Sequence, residues 1–214
     1  MTSENNSAQA IDPNDQRQVR TDKRNQLLAK GEEAYPVGVA RTHSLQEIRD
    51  KYEHLEAGEE TEDVVGVVGR IVFMRNTGKL CFATLQEGGQ KGEGVRLQVM
   101  LSLANVGEER LAQWKSLVDL GDHVFVTGKV ISSRRGELSI MADAWEMASK
   151  ALRPLPVLHA DLNEETRVRQ RYADLIVRNE AREMVYKRAA IIRAVRNTLE
   201  GHDYGEVETP MLLK

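Results

Sequence analysis

Between Val64 and Met147 five short runs carry the alternation of apolar and polar residues that belongs to strands, and this pattern constrains the fold more than any other feature of the chain. The runs are "VVGVVGRIVFMR", "KLCFATLQE", "GVRLQVML", "DHVFVTGKVIS" and "GELSIMADAWEM", broken by Thr77-Gly78, the glycine-rich "GGQKGEG" and Arg135-Gly136. A period of two sends successive side chains to opposite faces, so each run reads as a strand with one buried face. Between the third and fourth runs lies "NVGEERLAQWKSLVDLGD", where Val106, Leu111, Trp114, Leu117 and Val118 recur at helical spacing.

Three strands, a helix and two strands is the element order of an OB-fold, an all-β five-stranded barrel that presents its second and third strands to oligonucleotides. A small barrel of the same order with no ligand is the alternative. The expected organisation is a tail over 1–11, a helical N-terminal region over 12–63, the barrel over 64–150, a linker over 151–163 and a further, mostly helical segment over 164–214. Residues 1–11 are polar, with little to bury, and read as disordered. Asp12 before Pro13 predicts a helix start, with the helix running to about Lys30 and ending at Gly31. A short helix is expected near Ser44. Beyond the proline-bearing "ALRPLPVLHADLN", "EETRVRQRYADLIV" predicts one helix. A second follows from Asn179 to Gly201, with Met184, Ile191, Ile192, Val195 and Leu199 on one stripe, and "YGEVETPMLLK" then predicts a strand. Two helices and a strand cannot bury their faces alone, so this last segment reads as an incomplete domain.

Composition narrows the class. No apolar run approaches the roughly 20 residues that cross a bilayer, and the polar, acidic N-terminus lacks a signal-peptide pattern, so a cytoplasmic protein without a membrane partner is expected. Cys81 is the single cysteine; it cannot pair internally and falls at an inward strand position, as a small buried hydrophobe would. The net charge of −3 argues against a strongly basic nucleic-acid binder, but charge is unevenly spread. Arg70, Arg75, Lys79, Lys91 and Arg96 face only Glu87 and Glu93 over 64–101, and Arg17, Arg20, Lys23, Arg24 and Lys30 face only Asp15 and Asp22 over 15–30. Such local excess fits a restricted phosphate-contacting surface or simply a solvated face.

Strand phase singles out candidate ligand contacts. In "GKLCFATLQE", Cys81, Ala83 and Leu85 share one face, which leaves Phe82 on the mixed face with Leu80, Thr84 and Gln86. That ring is scatter, barrel packing (including packing beneath loop 87–94) or a platform for stacking. In "GVRLQVML" Gln98 takes the outward phase, and in "GELSIMAD" Glu137 does. A ring beside an amide and a carboxylate is the inventory that stacks unpaired bases and reads their edges. Glu137 can equally be a turn residue after Gly136, and Gln98 plain surface polarity. Arg75 sits where the alternation is irregular, so phase does not say which way it points.

Taken together and in order, "GR" at 69–70, "GKLCFATLQ", "RLQV", "LGDHVFVTGKV", "RRGELSI", "KALRPLP", "RQRYADLI" and "EVETPML" resemble the N-terminal part of bacterial lysyl-tRNA synthetases of the class II type. The likeness runs from about Gln16 to Lys214; the far N-terminus and the loop 88–94 depart from it. The resemblance implies an OB-fold anticodon-binding domain with an N-terminal helix, followed by the start of a class II α/β catalytic domain built on an antiparallel sheet. It implies that Phe82 stacks the central anticodon base, that Gln98 and Glu137 contact anticodon bases, and that Arg75 binds nearby. Pro210, in "VETP", matches the proline of motif 1, which forms the homodimer interface. The implied enzyme ligates lysine to tRNA(Lys) with ATP and Mg2+. Motifs 2 and 3, which hold ATP, and the residues that bind lysine and magnesium are not among these 214 residues, so the expectation is that this chain alone forms no aminoacyl-adenylate and supplies no catalytic residue. A stand-alone tRNA-binding protein without catalysis is the competing expectation, and a general single-strand-binding barrel a third.

Overall fold

Strands form where the alternation predicts them: β1 (Glu60–Thr77), β2 (Leu80–Glu87), β3 (Val95–Ser102), β4 (His123–Ser132) and β5 (Leu138–Ser149). The computed structural model describes residues 15–88, 94–156 and 163–209. The strands close into a barrel in the order β1-β2-β3-β5-β4, antiparallel except for the β3–β5 pair. Val67, Ile71, Cys81, Ala83, Leu85, Leu97, Val99, Leu101, Val126, Val130 and Ile140 fill its interior, each fully buried. Burial pushes the Cys81 thiol up, which keeps it protonated and inert. Closure demands one close approach: a Cβ at Gly128 would stand 2.0 Å from the Met141 carbonyl oxygen, at the irregularity in the β4–β5 register, so only a residue without a side chain fits.

The helical segment between β3 and β4 is two helices, α3 (Leu103–Val106) and α4 (Glu108–Leu117). Gly107 divides them with φ of 80°, a backbone state that the even spacing of apolar residues conceals. Trp114 of α4 meets Trp145 of β5 edge to face, with ring centroids 5.3 Å apart, and both rings are buried. The Arg110 guanidinium stacks over Trp145 at 4.4 Å. These contacts fasten the helix to the barrel core.

The first helix, α1 (Gln16–Ala29), begins later than Asp12-Pro13 predicts, and those two residues lie outside the described ones. Asp15 is the cap, its carboxylate accepting from the backbone N–H of Arg17 and Gln18. The helix α2 (Leu45–Tyr52) starts at a reciprocal capping box between Ser44 and Glu47. Two of the basic residues on α1 are structural. Arg20 is buried and donates to the carbonyls of Leu120 and Ala151, and Lys23 pairs with Asp119 at 2.6 Å.

That pair joins a network centred on Lys150, whose side chain is fully buried. Its ammonium donates to Leu117 O at 2.7 Å, to Asp119 Oδ2 at 2.6 Å and to Asp122 Oδ2 at 2.7 Å. Asp122 also accepts the backbone N–H groups of Asp119 and Ala151. Burial opposes charge on both carboxylates. For Asp119 the hydrogen bonds and charges of Lys150 and Lys23 prevail and hold its carboxyl low; for Asp122 burial prevails and pushes it up. The network ties α1, the turn before β4 and the chain leaving β5 into one structure.

The remaining segment is helical. "EETRVRQRYADLIV" forms two helices, α5 (Glu164–Arg169) and α6 (Arg171–Val177), because Gln170 leaves helical geometry at ψ of 55°. Asp174, fully buried, accepts from Arg171 at 2.6 Å and Arg178 at 2.5 Å. The long helix α7 (Asn179–Glu200) exposes its apolar stripe, with Met184, Ile191, Ile192, Val195 and Leu199 between 43% and 64% accessible. Residues 204–209 take no strand conformation, contrary to the pattern: none of them finds a pairing partner among the described residues, and a strand exists only with one. Pro210 lies outside the described residues.

Two outcomes follow from the buried charges. Lys150→Met leaves Asp122 buried without a cation, and Asp119 with Lys23 alone, and is expected to cost about 3–5 kcal/mol of unfolding free energy in urea titrations; a loss under about 1 kcal/mol would show that the network contributes little. The His123 ring is held down to about 4 by burial and secondarily by Arg70, whereas in the unfolded chain it titrates near 6.5. Between those values the unfolded chain binds the extra proton, so this contribution is complete above pH 6.5 and is lost as pH falls toward 4. His123→Gln should flatten that fall in denaturation midpoints, and an unchanged slope would refute the assignment.

Candidate nucleic-acid interface

A β-bulge decides where Arg75 points. Ile71 of β1 pairs with Leu85 and Phe73 pairs with Thr84, so Val72 has no partner and the phase of β1 shifts by one residue. Val65, Val67 and Ile71 face the core before the shift, and after it Met74 packs against the core while Phe73 and Arg75 turn outward. Arg75 lies directly across from Phe82, Phe82 across from Met100, and Thr84 across from Gln98. Residues paired across antiparallel strands share a face.

The outward face is concave. Arg75, Phe82, Gln98 and Glu137 all line one groove of about 720 Å³, so the four residues singled out in the sequence are brought together. Phe73, Leu80 and Met100 extend its apolar floor, and Arg134 and Arg135 stand at its edge in the turn between β4 and β5. Phe82 is not a core residue: its neighbours Cys81 and Ala83 fill the interior while its own ring lines the groove. Most of loop 87–94, under which it was expected to pack in one alternative, lies outside the described residues.

Hydrogen bonds fix the polar groups. Gln98 Nε2 donates to Ser139 Oγ at 2.9 Å, and Ser139 Oγ donates to the Glu137 carbonyl at 2.9 Å. Ser139 is fully buried, although its phase is outward. The turn before Glu137 is held by Ser133, whose N–H donates to the Glu137 carbonyl and whose Oγ accepts from the Glu137 N–H. The Glu137 carboxylate is exposed and stands 3.5 Å from the Arg49 guanidinium of α2. Three arginines of the lining, Arg75, Arg134 and Arg135, face one carboxylate, Glu137. The result is an apolar floor with a positive margin, suited to a stacked base and its phosphates.

Sequence reasoning missed Phe73, Arg134, Arg135, Ser139 and Arg49. The Arg134-Arg135 pair at a glycine turn was a usable signal for two of them. Phe73 was hidden by the bulge, and Arg49 and Ser139 act through contacts that no local spacing records. Among the described residues no group of three or more His, Cys, Asp or Glu side chains could hold a metal ion.

The family of OB-fold nucleic acid binding domains matches residues 65–148, and the family of class II tRNA synthetases (D, K and N) matches residues 163–214. The lysine–tRNA ligase of Kineococcus radiotolerans is 65% identical over 198 residues, covering 92% of this chain and 39% of that protein. The chain belongs to the bacterial lysine–tRNA ligase family. It matches the N-terminal portion, spanning about two-fifths of the length of these curated relatives. The lysine–tRNA ligases of Mycolicibacterium gilvum and Bacillus subtilis are 61% and 42% identical, each over more than nine-tenths of this chain. The barrel strands lie on the residues that match the OB-fold nucleic acid binding family, and the helical segment on those that match the class II synthetase family. No helix of the described residues is long and apolar enough to cross a membrane.

Proposed function

We propose that the groove of the barrel holds the anticodon loop of tRNA(Lys), and that the whole protein is a lysine–tRNA ligase. The observation that carries this reading is the convergence of Phe82, Arg75, Gln98 and Glu137 on one groove in a chain of this family. In it, one unpaired base stacks on Phe82, Gln98 and Glu137 meet base edges, and Arg75, Arg134 and Arg135 neutralise phosphates. Single-stranded loops suit this surface because their bases can be splayed onto a ring, whereas a duplex hides them.

In the same proposal the whole enzyme activates lysine with ATP, forming lysyl-adenylate and pyrophosphate, and then esterifies the tRNA 3′ end. ATP and Mg2+ serve that step, and no described residue of this chain is assigned to them, to lysine or to catalysis. The whole enzyme acts in the cytoplasm as a homodimer, and Pro210 belongs to the dimer motif. The domain plan is an N-terminal helical region 12–63, the barrel 64–150, a linker 151–163 and the start of the catalytic domain at 164–214.

Phe82→Ala is expected to weaken binding of a tRNA(Lys) anticodon stem-loop by about 1–3 kcal/mol at fixed salt, with a small change in thermal midpoint. A large loss of stability, with binding lost only in proportion, would return the ring to a packing role. Arg134→Ala and Arg135→Ala should each lower the slope of log affinity against log salt by about 0.7. Equal affinity for UUU and unrelated anticodons would overturn the proposal as a whole.

A further inference from the structure

The polarity of the Gln98 amide is set by a hydroxyl one strand away. Ser139 Oγ lies 2.9 Å from the backbone carbonyl of Glu137, and a carbonyl oxygen can only accept. The single hydroxyl proton of Ser139 is therefore committed to that bond, so Ser139 can only accept from Gln98, 2.9 Å away. This puts the NH2 group of Gln98 against Ser139 and directs Oε1, together with the second amide hydrogen, away from it into the groove that Gln98 lines. Exchanging the amide oxygen and nitrogen would oppose two acceptors or turn the Ser139 proton away from the Glu137 carbonyl, so the bond to that carbonyl favours this orientation by about one hydrogen bond.

The consequence lies in which pyrimidine the amide accepts. Uracil presents a donor at N3 flanked by carbonyl acceptors; cytosine presents an acceptor at N3 beside a donor amine. An amide that offers its oxygen at the N3 position and a hydrogen beside it matches uracil, and the same amide turned over matches cytosine. We propose that Ser139 is a positioning residue that locks Gln98 in the uracil-reading orientation, and so sets selectivity for uridine over cytidine at the base seated against Gln98. This rests on the anticodon reading proposed above and adds to it a residue that need not touch RNA.

Removing the hydroxyl is structurally mild. Ser139→Ala is smaller, and the Glu137 carbonyl keeps the N–H of Ser133 at 2.9 Å, so the turn retains its backbone bond. The experiment measures affinities of the 214-residue chain for anticodon stem-loop RNAs carrying UUU and each single U→C change, at one salt concentration. Wild type, Ser139→Ala, Gln98→Ala and the double variant are compared, with thermal melts beside them. Ser139→Ala is expected to lower the U-over-C preference at one anticodon position roughly tenfold, chiefly by admitting cytidine, since each hydrogen bond distinguishes orientations by about that factor. In the Gln98→Ala background the same change is expected to leave the preference as it was. An undiminished preference in Ser139→Ala overturns the inference. So does an equal loss of affinity for all the RNAs, or an effect that persists without Gln98. A wild-type chain that binds U and C loops equally overturns the anticodon reading together with the inference, whereas a wild-type preference untouched by Ser139→Ala removes only the role of Ser139.

Discussion

Closing five strands into one ring commits every second residue of each strand to the interior, and the site is what that commitment leaves over. Cys81, Ala83 and Leu85 of β2 and Leu97, Val99 and Leu101 of β3 are fully buried, so Phe82, Gln98 and Met100 have no place except the outer surface. A core residue could be exchanged for another of similar volume with modest effect. The outward set is not interchangeable in that way, because ring, amide and carboxylate offer different contacts to a ligand. The same backbone ladder that supplies cohesion also spaces these groups, since paired residues on neighbouring strands lie about 5 Å apart on a shared face.

Two departures from regularity shape this ladder, one at the groove and one where the ring closes. The unpaired Val72 rotates the end of β1 so that Phe73 and Arg75 join Phe82 on the outer face. Gly128 lets β4 approach β5 more closely than any side chain would allow. Around the barrel, charge is placed both in the interior and at the rim of the groove. Lys150, Asp119, Asp122 and Lys23 form a buried network that fastens α1 and the exit of β5, while the arginines of the groove remain at its margin. A count of basic residues along the sequence cannot separate these two uses, which is why the excess on α1 overstates its availability to phosphate.

The strands were legible because their signal is local and repetitive. Each of the five runs shows its period within eight to twelve residues, and burial then enforces the phase that the period announces. Helix boundaries were less legible. Gly107 and Gln170 each break a helix that apolar spacing presents as continuous, because spacing records which residues face the core and not whether the backbone between them stays helical. Residues 204–209 form no strand for a related reason, since an extended segment becomes a strand only when a partner supplies its hydrogen bonds.

By itself, the sequence determined the order of the five strands, the inward sets of β2, β3 and β5 and the outward phase of Phe82, Gln98 and Glu137, because a period of two is a property of the local backbone. Its motifs also tied the chain to a family of synthetases. Tertiary structure alone decided that Arg75 stands beside Phe82, that Arg49 of α2 reaches Glu137, and that Ser139 of β5 holds the amide of Gln98 on β3. Those contacts join residues between 7 and 88 positions apart, the latter for Arg49 and Glu137. Distances across a closed barrel depend on register and bulges, which no local pattern specifies.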